Sequence, residues 1–450
     1  MVARGRCTIL GANDMKRYGR ALALAVAMVI LVGACTSDPD KATDEGGSGS
    51  GGSTKGLTDD TIKIGFIGAD FGPLAEAGLA PDLGDQPTIV QAVVDAINNE
   101  GGIGGRKIEV RVKLVDGTAG PEAGQAACLE MTQDFGAFAV IIAPAVGRDT
   151  ARCVAVTNNT LALGATGFDA GVYEEAEGRL FTAGSDTSMS TDRQYEGWAQ
   201  LMDDEGVLDG KTIGVVSAEQ SPEFTAAVKN GLIPKLEELG HEVAVNVTLP
   251  CPEGDTDCDQ HEAAVQQMKD DGVDFVFMAA PNLSGPTFLT AAENLDFAPQ
   301  WAANGNQVTD TVSKFFESVK GAWDGAIGTS TVFAEPEDLT DGARLCNEIV
   351  QAGGGEDYEP GSDAFGFAAV NCLLLQLLQT AGDEVDQADL NQTSMIEAIE
   401  GLGSIELNAG PEGSLSADKH DAGDYLFLAD YDADAGEFVQ RPDEPVKIDG

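Results

Sequence analysis

The chain has 450 residues, with 75 Asp and Glu against 26 Lys and Arg, giving a formal net charge of −49. Such acidity repels phosphate backbones, so it excludes nucleic acid as a partner and reads as a solvated surface. A hydrophobic content of 43% supplies sizeable cores, and the length implies two or three core-forming units.

The N-terminus reads as a targeting segment. Lys16, Arg17 and Arg20 precede an apolar run from Ala21 to Ala34. That run is too short for an ordinary membrane span and fits the core of a signal peptide over residues 1–34. Val32-Gly33-Ala34-Cys35 resembles a bacterial lipobox, with Cys35 as the lipidated residue; a secretory peptide with an incidental Cys35 is the alternative. Met15 precedes the basic cluster and is a second candidate start, which would leave Cys7 outside the protein. Residues 35–56, rich in Gly, Ser and charge, read as a flexible tether. Anchor, tether and globular body describe an extracytoplasmic protein held to the membrane through its lipid alone.

Alternating Ile62, Ile64 and Phe66 predict a buried strand, and Ile89, Val93 and Ile97 a helix. Gly101 and Gly102 stop that helix, and Ile108 to Leu114 alternate again. Strand–helix–strand implies a parallel sheet, with Asp70, Phe71 and Gly72 just beyond a strand's carboxyl end, where such sheets bind ligands. Then come a helix over 121–133, a strand over 137–143, a short helix over 148–156 and a strand from Leu161 ending at Gly164-Ala165-Thr166. From Phe181 the chain starts extended and becomes helical near Thr191. A second series follows: strands over 212–216, 242–249, 274–278 and 300–303, and helices over 222–239, 261–271 and 284–295. This series looks like an approximate structural repeat of the first. A strand is predicted over 323–333, then helices over 339–351, 364–380 and 393–400, and a hairpin or meander over 413–439. The helix over 364–380 is apolar on nearly all sides, which places it inside the body.

Of eight cysteines, Cys7 lies in the leader and Cys35 is the lipidation candidate, leaving Cys128, Cys153, Cys251, Cys258, Cys346 and Cys372. An even number in an exported chain suggests disulfides, and sequence neighbours suggest the pairs Cys128–Cys153, Cys251–Cys258 and Cys346–Cys372. There is no CxxC pair, and His241, His261 and His420 lack ligand spacing to the cysteines, so neither a metal site nor a cofactor is expected. Asp430 to Gly436 resembles the start of a calcium loop, but Arg441 stands where a glutamate is required, so a hairpin turn is expected.

Four stretches resemble the leucine/isoleucine/valine-type substrate-binding proteins of ABC transporters, the type I periplasmic binding proteins. They are IKIGFIGADFGPLAEAG, DAINNEGGIGGRKIEVRVKLVD, LALGATG and FTAGSDTSMSTDRQ. The resemblance covers Leu57 to Val439. It implies an α/β fold of two Rossmann-like lobes with parallel-rich sheets, joined by three crossings near 181–186, 328–335 and 404–414. The lobes would be residues 57–185 plus 335–412 and residues 186–334 plus 413–450. It also implies a cleft that closes on a small molecule, a monomer, and delivery of the ligand to an ABC permease.

In such proteins backbone amides and hydroxyls hold an amino acid's carboxylate, and an acidic residue holds its ammonium. The resemblance places Val146, Gly147 and Arg148 at the first of these, with Ala165 and Thr166 beside them. The family's serines are missing from this loop, and Arg148 is a candidate for an anion. In the second lobe, Ser221, Phe224, Pro281 and Asn282 follow strands and should face the cleft. Two departures stand out. The expected wall aromatic falls near Ala77, so that wall is missing or is replaced by Phe71. The expected acid falls near Gly305, flanked by Asn304 and Asn306, which hydrogen-bond but cannot neutralise an ammonium; Asp70 is a further candidate. The expected solute is a small polar organic molecule (amino acid, amide or related acid); with no acid placed for an ammonium, a neutral amide, a carboxylate or an aromatic acid is expected, and not a standard branched-chain amino acid. No catalytic motif is present. A transport receptor is the favoured reading, a ligand-sensing module for a membrane signalling partner the alternative, and an exported enzyme a distant third.

Overall fold

The computed structural model describes residues 52–72, 75, 80–117, 119–144, 146–251, 258–280, 284–305, 307–308, 317–332, 338–442 and 444–448. Cys35, the leader, Ala77, Pro281, Asn282 and Asn306 lie outside the described residues. The chain builds β1 (Thr61–Asp70), α1 (Gln86–Glu100), β2 (Lys107–Asp116), α2 (Pro121–Leu129), β3 (Ala139–Ile142), α3 (Arg148–Arg152), β4 (Leu161–Gly164), α4 (Ala170–Ala176) and β5 (Leu180–Thr182). These strands form one parallel sheet in the order β2-β1-β3-β4-β5.

The local reasons are plain. Asp85 caps α1 by accepting the Thr88 backbone N–H, and Pro87 sits in the first turn, where its missing N–H costs nothing. The helix ends at Gly101 and Gly102, with φ of 132° and 89°. A Cβ on Gly102 would stand 1.9 Å from the Arg106 carbonyl oxygen, so this turn requires glycine twice over.

The second series is α5 (Thr191–Asp204), β6 (Ile213–Ala218), α6 (Pro222–Ala227), α7 (Ile233–Glu238), β7 (Val243–Leu249), α8 (His261–Asp270), β8 (Phe275–Met278), α9 (Gly285–Asn294), β9 (Gln300–Ala303) and β10 (Ile327–Ser330). Its five strands lie parallel in the order β7-β6-β8-β9-β10. That is the first sheet's order again, so the repeat expected from the sequence is present in topology. Antiparallel β13 (Tyr425–Asp432) extends the sheet at β10, and β14 (Glu437–Gln440) and β15 (Val446–Lys447) pair with β13. Between the sheets' segments come α10 (Asp341–Ala352), α11 (Asp363–Asp383), α12 (Gln392–Gly401) and the small pair β11 (Ser404–Ile405) and β12 (Gly413–Ser414).

Each sheet has its own cores. Helix α11 packs Phe365, Leu374 and Leu378 with Ile62, Phe66 and Ile141 in the first. It is long and apolar enough to cross a membrane, but most of it is buried inside the protein, as the sequence predicts. In the second, Trp301, Trp323, Tyr431 and Phe438 make a run of ring contacts. Leu407, Leu415 and Ala422 belong to the first sheet's core, whereas Met189 and Leu426 pack with the second.

Three chain segments lie side by side where the halves connect. Thr182 exchanges backbone hydrogen bonds with His420 and Ala422, the Asn408 N–H donates to Gly184, and the Thr340 N–H donates to Asn408. The predicted strand over 323–333 is shorter than expected: Trp323 closes a 3₁₀ turn, and only Ile327–Ser330 is strand. The predicted 413–439 meander is likewise partial, because β12 pairs with β11 and leaves β13–β14 as the hairpin. In that hairpin Asp432 Oδ1 accepts the N–H groups of Asp434 and Ala435, a turn as expected. All three disulfides form with the expected partners, at Cα–Cα distances of 6.1, 4.5 and 5.8 Å.

Candidate functional site

The carboxyl ends of β2, β3 and β4 face the loop that follows β6, and between them lies a cavity of about 520 Å³. This is the position where open α/β sheets leave room for ligands, and the volume falls in the range of small-molecule sites. Both sheets contribute to its wall. From the first come Val115 to Gly117, Val146 to Thr150 and Thr166 to Asp169; from the second come Gln220 and Pro222 to Phe224.

Five residues expected from the sequence line this cavity: Val146, Gly147, Arg148, Thr166 and Phe224. Five others are not brought there. Ala165 is buried beneath the wall, its N–H bonded to the Ile142 carbonyl. Ser221 is buried at the start of α6, with its carbonyl accepting the Thr225 N–H. Asp70 and Phe71 line a separate cavity of about 180 Å³ with Leu83 and Gln86. There Asp70 Oδ1 accepts the Gly72 N–H at 2.9 Å. Asn304 and Gly305 lie in a crevice of the second half beside Tyr195 and Thr329, and Asn304 Nδ2 donates to the Tyr195 hydroxyl at 3.0 Å.

Charged and polar groups that sequence reasoning missed complete the lining: Asp116, Asp149, Asp169, Gln220 and Glu223. Asp169 is 4% exposed. Arg148 Nη2 donates to Asp169 Oδ1 at 3.1 Å and stands 2.9 Å from Oδ2. Oδ2 receives no aligned hydrogen bond, despite that short ion-pair distance. The only sequence signal for Asp169 is its place two residues after LALGATG, just before an unremarkable helix.

Behind this pair stands Asp192, in the first turn of α5. Its Oδ2 accepts the Ala170 N–H at 2.6 Å, while Oδ1 is buried without a partner. Burial pushes the Asp192 carboxyl up; neighbouring Asp169 adds to this, and the Ala170 N–H and Arg148 oppose it. The Tyr173 hydroxyl, 2.6 Å from Thr182 Oγ1, is held protonated mainly by burial. Among the described residues, no group of three or more His, Cys, Asp or Glu is arranged to hold a metal ion. The arrangement is a solvent-reachable polar cleft with charges of both signs, suited to binding a small solute.

Comparison with known proteins gives a family and a fold. A family model described as periplasmic binding protein matches residues 61–436. No curated protein matches the chain in sequence. Among solved structures, it is similar to a leucine-, isoleucine-, valine-, threonine- and alanine-binding protein from Brucella ovis in its closed conformation, at 19% identity and a TM-score of 0.60, covering 86% of this chain and 95% of that one. It is also similar to a fatty acid ABC transporter substrate-binding protein from Thermomonospora curvata, at 16% identity and a TM-score of 0.58, covering 88% and 94%. A third is an ABC transporter solute-binding protein from Rhodopseudomonas palustris BisB5 in complex with 3,4-dihydroxybenzoic acid, at 15% identity and a TM-score of 0.57, covering 87% and 98%. These likenesses establish the fold alone, and the three proteins are described with three different ligand chemistries.

Proposed function

The chain belongs to the periplasmic binding protein family, and from that premise we propose that it captures a small polar organic molecule, an amino acid, amide or related acid, and delivers it to an ABC permease. The observation that carries the reading is the cavity of about 520 Å³ walled by loops from both sheets, because a solute there touches both halves and favours their approach. In this reading Arg148, the Thr166 hydroxyl and the amides from Val146 to Arg148 receive the ligand's acceptor groups, and Phe224 supplies an apolar wall from the other side.

The three laced segments near Thr182, Thr340, Asn408 and Ala422 act as the hinge. The first lobe comprises residues 57–185 plus 335–412 and the second 186–334 plus 413–450, with 413–424 packed on the first side of the hinge. A lipid on Cys35 and the tether hold this body at the outer face of the membrane, as a monomer.

A thermal-shift screen with amino acids, amides, ureas and aromatic acids tests the proposal. A ligand bound only by the folded state must raise the melting temperature, and small-angle scattering should then report a more compact body. Absence of any response across the four classes overturns it.

A further inference from the structure

We propose that Asp169 is a specificity residue of this cleft, and that the solute it selects carries a positively charged nitrogen. This deepens the receptor reading above and rests on it.

The argument starts from what the cavity offers. Among the described lining residues, Arg148 is the one cation, and it is already paired with Asp169. Asp116, Asp149 and Glu223 line the same cavity, so the described lining holds four carboxylates and one guanidinium. A solute whose only charge is negative must draw Arg148 away from Asp169. It would leave a buried carboxylate without its counter-charge and add a further negative charge to the cleft, and both are unfavourable. A solute with a protonated amine or amidine meets the opposite situation. It brings N–H donors to Asp169 Oδ2, which is buried and receives no aligned hydrogen bond. It also lowers the net charge of the lining. If the solute carries a carboxylate or carbonyl as well, Arg148 can turn to it without stranding Asp169, because the incoming nitrogen takes over the pairing.

Asp169 lies on the first sheet's side of the cavity. Gly305 has no carboxylate and opens into a different crevice. Nothing in the chain order links the two positions. What places Asp169 at the cleft is that the loop after β4 runs beside Arg148 at the start of α3.

Titration calorimetry and thermal shift on the purified, disulfide-intact body test this with three probe classes. They are α-amino acids, carboxylate-free amines such as agmatine and putrescine, and amine-free acids such as benzoate and 3,4-dihydroxybenzoate. The expected result is that binding is confined to the nitrogen-bearing classes and that D169N weakens it about 10- to 100-fold, the loss typical of removing a charged hydrogen-bond partner. Binding of amine-free acids in preference to amines overturns the inference and leaves the receptor reading standing; so does unchanged affinity in D169N. Silence from all three classes overturns both. If D169N fails to fold, the ranking of probe classes on the unaltered protein still decides.

Discussion

Arg193 and Asp421 form a buried ion pair across the hinge, Nη1 to Oδ1 at 2.8 Å, although 228 positions separate them in the chain. The same guanidinium donates to the Gly423 and Ile448 carbonyls, at 2.9 and 2.8 Å. The Ser190 N–H donates to the other oxygen of Asp421. One side chain from α5 thus ties the first crossing to the last and to the strand region at the C-terminal end. Removing one partner of a buried pair leaves the other uncompensated, at a cost of about 3–5 kcal/mol. R193M should therefore lower the unfolding free energy measured in urea by an amount of that order. A change below about 1 kcal/mol would show that Lys419, 3.6 Å from the same carboxylate, replaces it.

Asp424 belongs to the same cluster and gives it a pH dependence. Burial alone would raise this carboxyl, but the Ser414 hydroxyl and Lys419 outweigh burial and hold it below its usual 3.8. A depressed carboxyl contributes stability above its unfolded value and loses it as pH falls through its folded one. The wild type should therefore lose stability in acid below about pH 3.8, and D424N should flatten that part of the curve. An unchanged acid limb in D424N would remove Asp424 from the cause.

Asp192 predicts the opposite sign. Its raised carboxyl makes ionisation in the folded state costly, and the cost is present at neutral pH and relieved as pH falls toward the ordinary 3.8. D192N keeps an oxygen for the Ala170 N–H and cannot ionise. Its melting temperature relative to wild type should be highest at pH 7 and decline steadily toward pH 4. A difference that is flat with pH would rule out the charge as the cause.

Two glycines of the cleft wall should respond in contrasting ways. A Cβ on Gly167 would lie 1.8 Å from the Met189 carbonyl oxygen, which is backbone and cannot give way easily. A Cβ on Gly147 meets nothing within 4 Å. G167A should cost about 1–3 kcal/mol or more by overpacking, and G147A less than about 0.5 kcal/mol. Chemical denaturation of both variants checks the contrast.

The Cys346–Cys372 bond joins α10 to α11 in the first core, with both residues fully buried. A cross-link closing a loop of this length is worth about 3 kcal/mol, chiefly by restricting the unfolded chain. The C346A/C372A double variant should lose about that much in denaturant. Mass spectrometry of the unreduced protein after alkylation should find no labelled cysteine among the six of the body.

What the sequence determined was whatever depends on near neighbours. Periodicities of two and of 3.6 located the strands and helices of both series, because each follows from contacts a few residues apart. The apolar α11 announced its own burial. The three disulfides were legible because their partners stand on successive elements. Four stretches of familiar pattern then gave the family, and with it the expectation that the loops near Arg148 and Thr166 face a ligand. Tertiary structure decided the rest. That Asp70 and Phe71 open into a different cavity from Arg148 depends on how the loop after β1 sits against Leu83 and Gln86. Asp169 and Glu223 share a wall although one follows β4 and the other β6, strands of different sheets. A pairing such as Arg193 with Asp421 has no local signature at all. Long-range charges find each other only once the chain has folded, when desolvation makes an unmatched charge costly.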